Sequence, residues 1–155
     1  MKLVHRKSDL PVQVLALCKN KRVLMVDDVK LNRTLLAKML TKRGMLVTEA
    51  ADGMEALLKC GVSVQDSSPR TFSFDAIIID SHMPRMGGAE AVEAMRAHGV
   101  RCPIFGLTGD SSQLEYDNLL YAGVTAVMIK PVNFTKLING KWRSTHAVNM
   151  CTYAQ

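Results

Sequence analysis

The amino-acid sequence predicts an α/β fold in which a parallel sheet of five strands is covered by helices on both faces. Short apolar runs of strand length alternate along the chain with segments whose apolar residues recur at helical spacing. The strand-like runs are apolar along their length, which is typical of parallel strands buried on both faces. A length of 155 residues fits one domain with a proper core. We find no internal repeat and no second domain.

The five predicted strands are short runs rich in Val, Ile, Leu and Met. They lie at residues 22–26, 45–48, 76–79, 103–107 and 126–129. The predicted helices separate these strands and follow the last one. They lie at residues 29–43, 53–60, 89–98, 111–122 and, as a short final helix, 134–138. Glycine ends the first, third and fourth helices at Gly44, Gly99 and Gly123. A polar loop with four serines occupies residues 61–73.

The net charge of +6 is confined to the two ends of the chain. Residues 1–20 hold four basic residues and one acid, residues 132–155 hold three basic residues and no acid, and the remainder is neutral. We therefore predict a charge-balanced domain at residues 21–138, between basic tails at 1–20 and 139–155 that are solvated or touch an acidic partner or membrane surface. With only 5% aromatic residues, direct nucleic-acid binding is not expected.

The sequence favours a cytoplasmic protein. No apolar stretch reaches the roughly 18 residues that a membrane span requires. The apolar run from Leu10 to Cys18 faintly resembles a signal peptide, but Pro11 and Gln13 interrupt it. Four cysteines show neither CxxC spacing nor a cluster with histidine, so we expect free thiols in a reducing compartment rather than a zinc site.

Polar residues whose side chains could bind a ligand or react follow four of the five predicted strands. Asp27 and Asp28 come after the first strand, Asp80 after the third, Thr108 after the fourth and Lys130 after the fifth. Working groups in parallel α/β sheets lie beyond the carboxyl ends of the strands, so these five side chains are expected to converge. Taken singly, each acid is as well explained as a turn residue or helix cap, and the lysine as a surface residue. Their joint order along the chain favours a site.

The chemistry of this set suits phosphoryl transfer to a carboxylate. Crowded carboxylates attract a hard divalent cation, and few protein ligands suit magnesium. Such a metal, with Lys130 and the Thr108 hydroxyl, would stabilise charge on a phosphoryl group. Asp80 is then the nucleophile that forms an acyl phosphate.

Five stretches in this order resemble the receiver domain of two-component signalling. They are Val23-Leu-Met-Val-Asp-Asp28, Asp52-Gly-Met-Glu-Ala56, Ile77-Ile-Ile-Asp-Ser-His-Met-Pro84, Gly106-Leu-Thr-Gly109 and Ile129-Lys-Pro131. The resemblance implies a flavodoxin-like, doubly wound sheet of order 2-1-3-4-5 and a cis bond before Pro131. It makes Asp80 the phosphoacceptor, and it makes Asp27, Asp28 and the carbonyl of His82 magnesium ligands. The cluster of three carboxylates adds Asp80 itself to the predicted magnesium ligands. Thr108 and Lys130 become the residues that sense the phosphoryl group.

The resemblance also implies a partner, a histidine kinase or a histidine phosphotransfer protein. The motifs Gly106 to Asp110 and Met128 to Pro131 are similar to receivers of hybrid histidine kinases. The family often has an aromatic residue three places before the lysine, where this chain has Val127, so a phosphorelay role is favoured over allosteric output. Gly87 stands where the family often has Asp, a small loss as a helix cap.

Two other functions compete with this one. A phosphatase of the haloacid-dehalogenase type needs a second Asp two places after the nucleophile, and His82 occupies that place. A pseudo-receiver that is never phosphorylated remains the alternative, although such proteins usually lose an acid or the lysine. The His82 side chain either assists hydrolysis of the acyl phosphate or points into solvent. The sequence does not name the oligomeric state.

Overall fold

A computed structural model describes residues 18–62 and 74–133 of the chain. Five parallel strands form one sheet in the order β2-β1-β3-β4-β5, which confirms the predicted fold class and the strand order that the resemblance implied. The strands are β1 (Arg22–Val26), β2 (Leu46–Ala50), β3 (Ala76–Asp80), β4 (Ile104–Thr108) and β5 (Ala126–Ile129). The peptide bond between Lys130 and Pro131 is cis, as the resemblance implied.

Four helices connect the described strands. They are α1 (Lys30–Thr41), α2 (Gly53–Lys59), α3 (Gly88–Ala97) and α4 (Gln113–Ala122). The Asp52 carboxylate caps α2 by accepting from the N–H of Glu55, and the Glu55 carboxylate accepts in return from the N–H of Ala51. Gly123 ends α4 in the left-handed region at φ +105°, where other residues are strained.

The sheet separates two apolar clusters. One face of the sheet packs with α1, through Leu36 and Leu40, and the other packs with α2, α3 and α4. The inner strands β3 and β4 are buried at every residue, and β1 at every residue but its first. The prediction that all strands are buried along their length was wrong for the two edge strands. An edge strand has only one neighbour, and β2 accordingly carries Thr48 and the exposed Glu49.

Most predicted elements differ from the observed ones by one or two residues at their ends. The largest functional consequence is that Asp80 and Thr108 are the last residues of β3 and β4 rather than the first residues after them. Cys18 is fully buried in the cluster on the α1 face, so packed structure already exists before residue 21. The predicted helix at 134–138, residues 63–73 of the predicted loop, and residues 1–17 and 139–155 of the predicted tails lie outside the described residues.

Candidate functional site

The structure brings the three predicted metal carboxylates and the predicted lysine together at the carboxyl edge of the sheet. Oxygen atoms of Asp27, Asp28 and Asp80 lie within 4.8 Å of one another. The Lys130 Nζ lies 3.2 Å from Asp27 Oδ2 and 2.9 Å from Asp80 Oδ2. This convergence follows from the strand order, because β1 and β3 are neighbours and the chain leaves β5 toward the same edge.

Burial makes the charges of this cluster interact strongly. Asp27 is fully buried, Asp80 is 5% exposed, and the Lys130 side chain is 27% exposed. Burial raises the pKa of the Asp80 carboxyl above its ordinary value, against the opposing effect of Lys130. Burial alone would lower the pKa of Lys130, but its hydrogen bond and attraction to Asp80, with the charge of Asp27, hold that pKa above its ordinary value. Lys130 is therefore charged at neutral pH and offsets part of the carboxylate repulsion.

Two hydrogen bonds to neighbouring backbone groups hold the Asp27–Asp28 segment. The N–H of Asp27 donates to the carbonyl of Ala50 at the end of β2, at 3.2 Å. The Asp27 Oδ1 accepts from the N–H of Val29, at 2.8 Å. One carboxylate oxygen of Asp27 is thus used to shape the turn into α1, and the other faces Lys130.

The connection from β3 to α3 packs closely against Asp80. The N–H of Ser81 donates to the carbonyl of Leu107, and the N–H of Gly88 donates to the carbonyl of Ser81. A Cβ atom at Gly88 would lie 2.2 Å from the carbonyl oxygen of Asp80. Only glycine allows this approach, which brings the start of α3 against Asp80. Gly87 is the N-cap of α3 and supplies no side-chain bond, as expected from its lack of a side chain.

His82 lies beside the site with its side chain at the surface. Its N–H donates to Asp80 Oδ1 at 3.5 Å. Its imidazole is 68% exposed, and the Nδ1 atom lies 2.7 Å from Ser81 Oγ and 3.8 Å from the carboxylate of Glu115 on α4. The sequence pattern does not indicate Glu115, because its proximity to His82 depends on how the first turn of α4 lies against the segment after β3.

Thr108 lies at the same edge, one strand beyond Asp80. Its side chain is buried, and its Oγ1 accepts from the N–H of Asp110 at 3.0 Å. Its carbonyl accepts from the N–H of Lys130 at 2.8 Å, so Thr108 also anchors the residue that carries the ammonium group.

Val127 is 5% exposed on β5 beside Gly106, and this place therefore holds a small buried residue and no aromatic ring.

The donor set fits a magnesium ion. Three carboxylates offer oxygen atoms close enough to share one cation, and they include no sulfur or imidazole nitrogen that would favour a softer metal. Cys18, Cys60 and Cys102, the cysteines in the described part of the chain, offer no competing chemistry, since they are free thiols away from this edge. Burial raises the pKa of Cys60 to about 12 and that of Cys102 to about 11, so neither thiol ionises at neutral pH.

The fold and this arrangement of acids and lysine define a receiver domain. The family model of the response regulator receiver domain matches residues 23–140, and the chain belongs to that family. No helix in the described part of the chain has the length and apolar character to span a membrane.

Among curated relatives, the sensor protein EvgS of Escherichia coli K12 is 33% identical over 134 residues, which cover 86% of this chain and 10% of EvgS. The probable histidine kinase 2 of Oryza sativa subsp. japonica is 32% identical over 127 residues, which cover 75% of this chain and 12% of that protein. The chain thus spans about a tenth of the length of these relatives.

Among solved structures, the chemotaxis response regulator CheY4 of Vibrio cholerae is 33% identical, with a TM-score of 0.67 over 81% of this chain and 98% of its own. The receiver domain of the Francisella response regulator 1452, at 24% identity and a TM-score of 0.70 over 83% of this chain and 99% of its own, shares the fold.

Proposed function

We propose that this receiver domain accepts a phosphoryl group on Asp80 from a phosphohistidine, with magnesium, in a phosphorelay. The observation that carries the proposal is the juxtaposition of Asp80 with Lys130, Asp27 and Asp28. The donor is a histidine kinase or a histidine phosphotransfer protein, in keeping with the relatives that are histidine kinases. The proposed compartment is the cytoplasm.

In the proposed transfer, an Asp80 carboxylate oxygen attacks phosphorus, and a P–O bond forms as the P–N bond to the donor imidazole breaks. The imidazole nitrogen leaves with the electron pair of that bond and takes up a proton. Asp27, Asp28, Asp80 and the His82 carbonyl are the proposed magnesium ligands. When bound, magnesium would neutralise charge on the phosphoryl oxygens.

The chain's own residues supply positioning and charge. Lys130 already lies 2.9 Å from Asp80 Oδ2, so its ammonium group needs little displacement to pair with an oxygen of the incoming phosphoryl group. The Thr108 hydroxyl is the proposed hydrogen-bond donor to another phosphoryl oxygen. These groups assist the domain's own phosphorylation and hydrolysis, and we therefore propose a phosphoacceptor rather than an enzyme acting on a separate substrate.

Val127 supports a relay over a conformational switch. A valine buried beside Gly106 offers no ring that moves between an inner and an outer position. The alternative, a pseudo-receiver, would be supported by a missing acid or lysine. Here Asp27, Asp28, Asp80 and Lys130 are all present and close together.

Substitution of Asp80 tests the proposal directly. Wild type and Asp80→Asn would be incubated with acetyl phosphate and magnesium, and the intact mass followed over time. We expect the wild type to gain one phosphoryl group, which hydroxylamine removes as it does from acyl phosphates, and Asp80→Asn to gain none. Asp75→Asn is the matched control, because Asp75 is an acid at the opposite edge of the sheet that bonds the N–H of Arg22. Equal labelling of wild type and Asp80→Asn would overturn the assignment.

A further inference from the structure

Arg33 on α1 makes two bonds that neither the sequence patterns nor the family motifs singled out. Its Nη1 donates to the carbonyl of Asp27 at 2.6 Å, and its Nε donates to the Glu49 carboxylate on β2 at 3.1 Å. The Arg33 side chain is only 13% exposed. A guanidinium group with two directed bonds and little access to water has a defined position.

The carbonyl that Arg33 holds belongs to the residue whose carboxylate is buried in the site. The Asp27–Asp28 segment turns sharply between β1 and α1, and its other bonds go to Ala50 and Val29. Arg33 binds the carbonyl of Asp27, whereas Ala50 and Val29 bind the N–H and the carboxylate of that residue. Through Glu49, it also ties the turn to the outer strand of the sheet.

The geometry points to Arg33 as a positioning residue for magnesium, one that acts by holding the Asp27–Asp28 turn and not by touching the metal. This inference rests on the proposed function of the site. Its expected effect on magnesium affinity is opposite in sign to the effect expected from the charge of Arg33 alone. A cation near three carboxylates weakens metal binding, and its removal would leave Glu49 as an additional unpaired negative charge. Electrostatics therefore predicts tighter magnesium binding without Arg33, whereas positioning predicts weaker binding.

The sign of the change in magnesium affinity distinguishes the two effects. Arg33→Met keeps the apolar stem and removes both bonds. We expect its dissociation constant for magnesium, measured by calorimetric titration of the full chain, to rise about tenfold, the effect of losing one hydrogen bond to a charged group. Arg33→Lys keeps the charge without the planar two-bond geometry and is expected to fall between wild type and Arg33→Met. Glu49→Gln leaves the hydrogen bond from Arg33 to the Asp27 carbonyl in place and is expected to change the magnesium affinity less than threefold.

Arg96 provides the matched control. Its guanidinium also donates to carbonyls, those of Val100, Cys102 and Gly123, but these lie at the amino edge of the sheet, away from the site. Arg96→Met should lower the melting temperature and leave the magnesium affinity within twofold of wild type. An equal loss of affinity in Arg96→Met and Arg33→Met would reveal a general effect of instability and overturn the inference.

Two further results separate this inference from the proposed function. Wild-type binding that is lost in Asp28→Ala, together with unchanged or tighter binding in Arg33→Met, overturns the role of Arg33 alone. No magnesium binding by the wild type overturns the proposed function, and this inference with it.

Discussion

Removal of the Lys130 ammonium group should destabilise the metal-free domain more than the loss of an exposed ion pair would. Lys130 is the cation that lies between Asp27, which is fully buried, and Asp80, which is 5% exposed. Lys130→Met leaves these two carboxylates facing each other without a counter-charge. Breaking a buried pair from one side costs about 3–5 kcal/mol. Because the Lys130 side chain keeps 27% exposure and Asp80 can take up a proton, we expect about 2–3 kcal/mol of the unfolding free energy to be lost at pH 7.5.

The pH dependence of this loss has a definite sign. Burial already raises the folded-state pKa of Asp80, and without Lys130 that pKa moves further up. The cost of the Asp80 charge is fully present above this raised pKa. It is lost progressively as the pH falls from the raised pKa toward the ordinary pKa of the unfolded state, because the folded carboxyl is then protonated. The stability difference between Lys130→Met and wild type should therefore shrink toward acid pH. It should also shrink with magnesium, since a divalent cation replaces the missing positive charge and binds only the folded state.

Urea denaturation measures these differences, in EDTA and in magnesium, at pH 7.5 and at successively lower pH. Lys21→Met is the control, because Lys21 pairs with Asp75 at 3.6 Å with both side chains about one-third exposed. That substitution should cost less than about 1 kcal/mol and show no dependence on magnesium. The reasoning is refuted if Lys130→Met unfolds at the same urea concentration as wild type in EDTA at pH 7.5.

Other substitutions test the remaining parts of the site. Asp28→Ala should weaken magnesium binding tenfold or more by calorimetric titration, and unchanged affinity would remove Asp28 from the metal site. His82→Ala should slow the decay of phospho-Asp80 at fixed pH and saturating magnesium, toward the factor of roughly 10² to 10⁴ that a full general base contributes. Decay as fast as in wild type would leave His82 only its backbone role. Gly88→Ala should destabilise by about 1–3 kcal/mol, because its Cβ would lie 2.2 Å from the Asp80 carbonyl oxygen. Gly109→Ala, whose Cβ meets nothing within 4 Å, should be near neutral, and equal melting temperatures for the two glycine variants would contradict the packing argument.

The sequence predicted most elements because their signals are local. All five strands correspond to short apolar runs in the sequence, and Gly44, Gly99 and Gly123 mark helix ends that the structure places at positive φ. The second strand was the least complete prediction. Residues 45–48 were expected and Leu46–Ala50 is observed, because Glu49 looks unlike a buried strand residue and is tolerated only at an edge.

The sequence by itself determined the class of the fold and the acids and lysine at the strand ends, since apolar periodicity and residue order are properties of neighbours along the chain. The order of the strands came from the resemblance, and contacts between distant residues needed the tertiary structure. Lys130 meets Asp27 across 103 positions of sequence, and their distance depends on how β5 and β1 are placed in the sheet. The same holds for Arg33 and Glu49, and for His82 and Glu115. The sequence gives the type of each charged side chain, but its partner depends on how segments that are far apart in the sequence pack together.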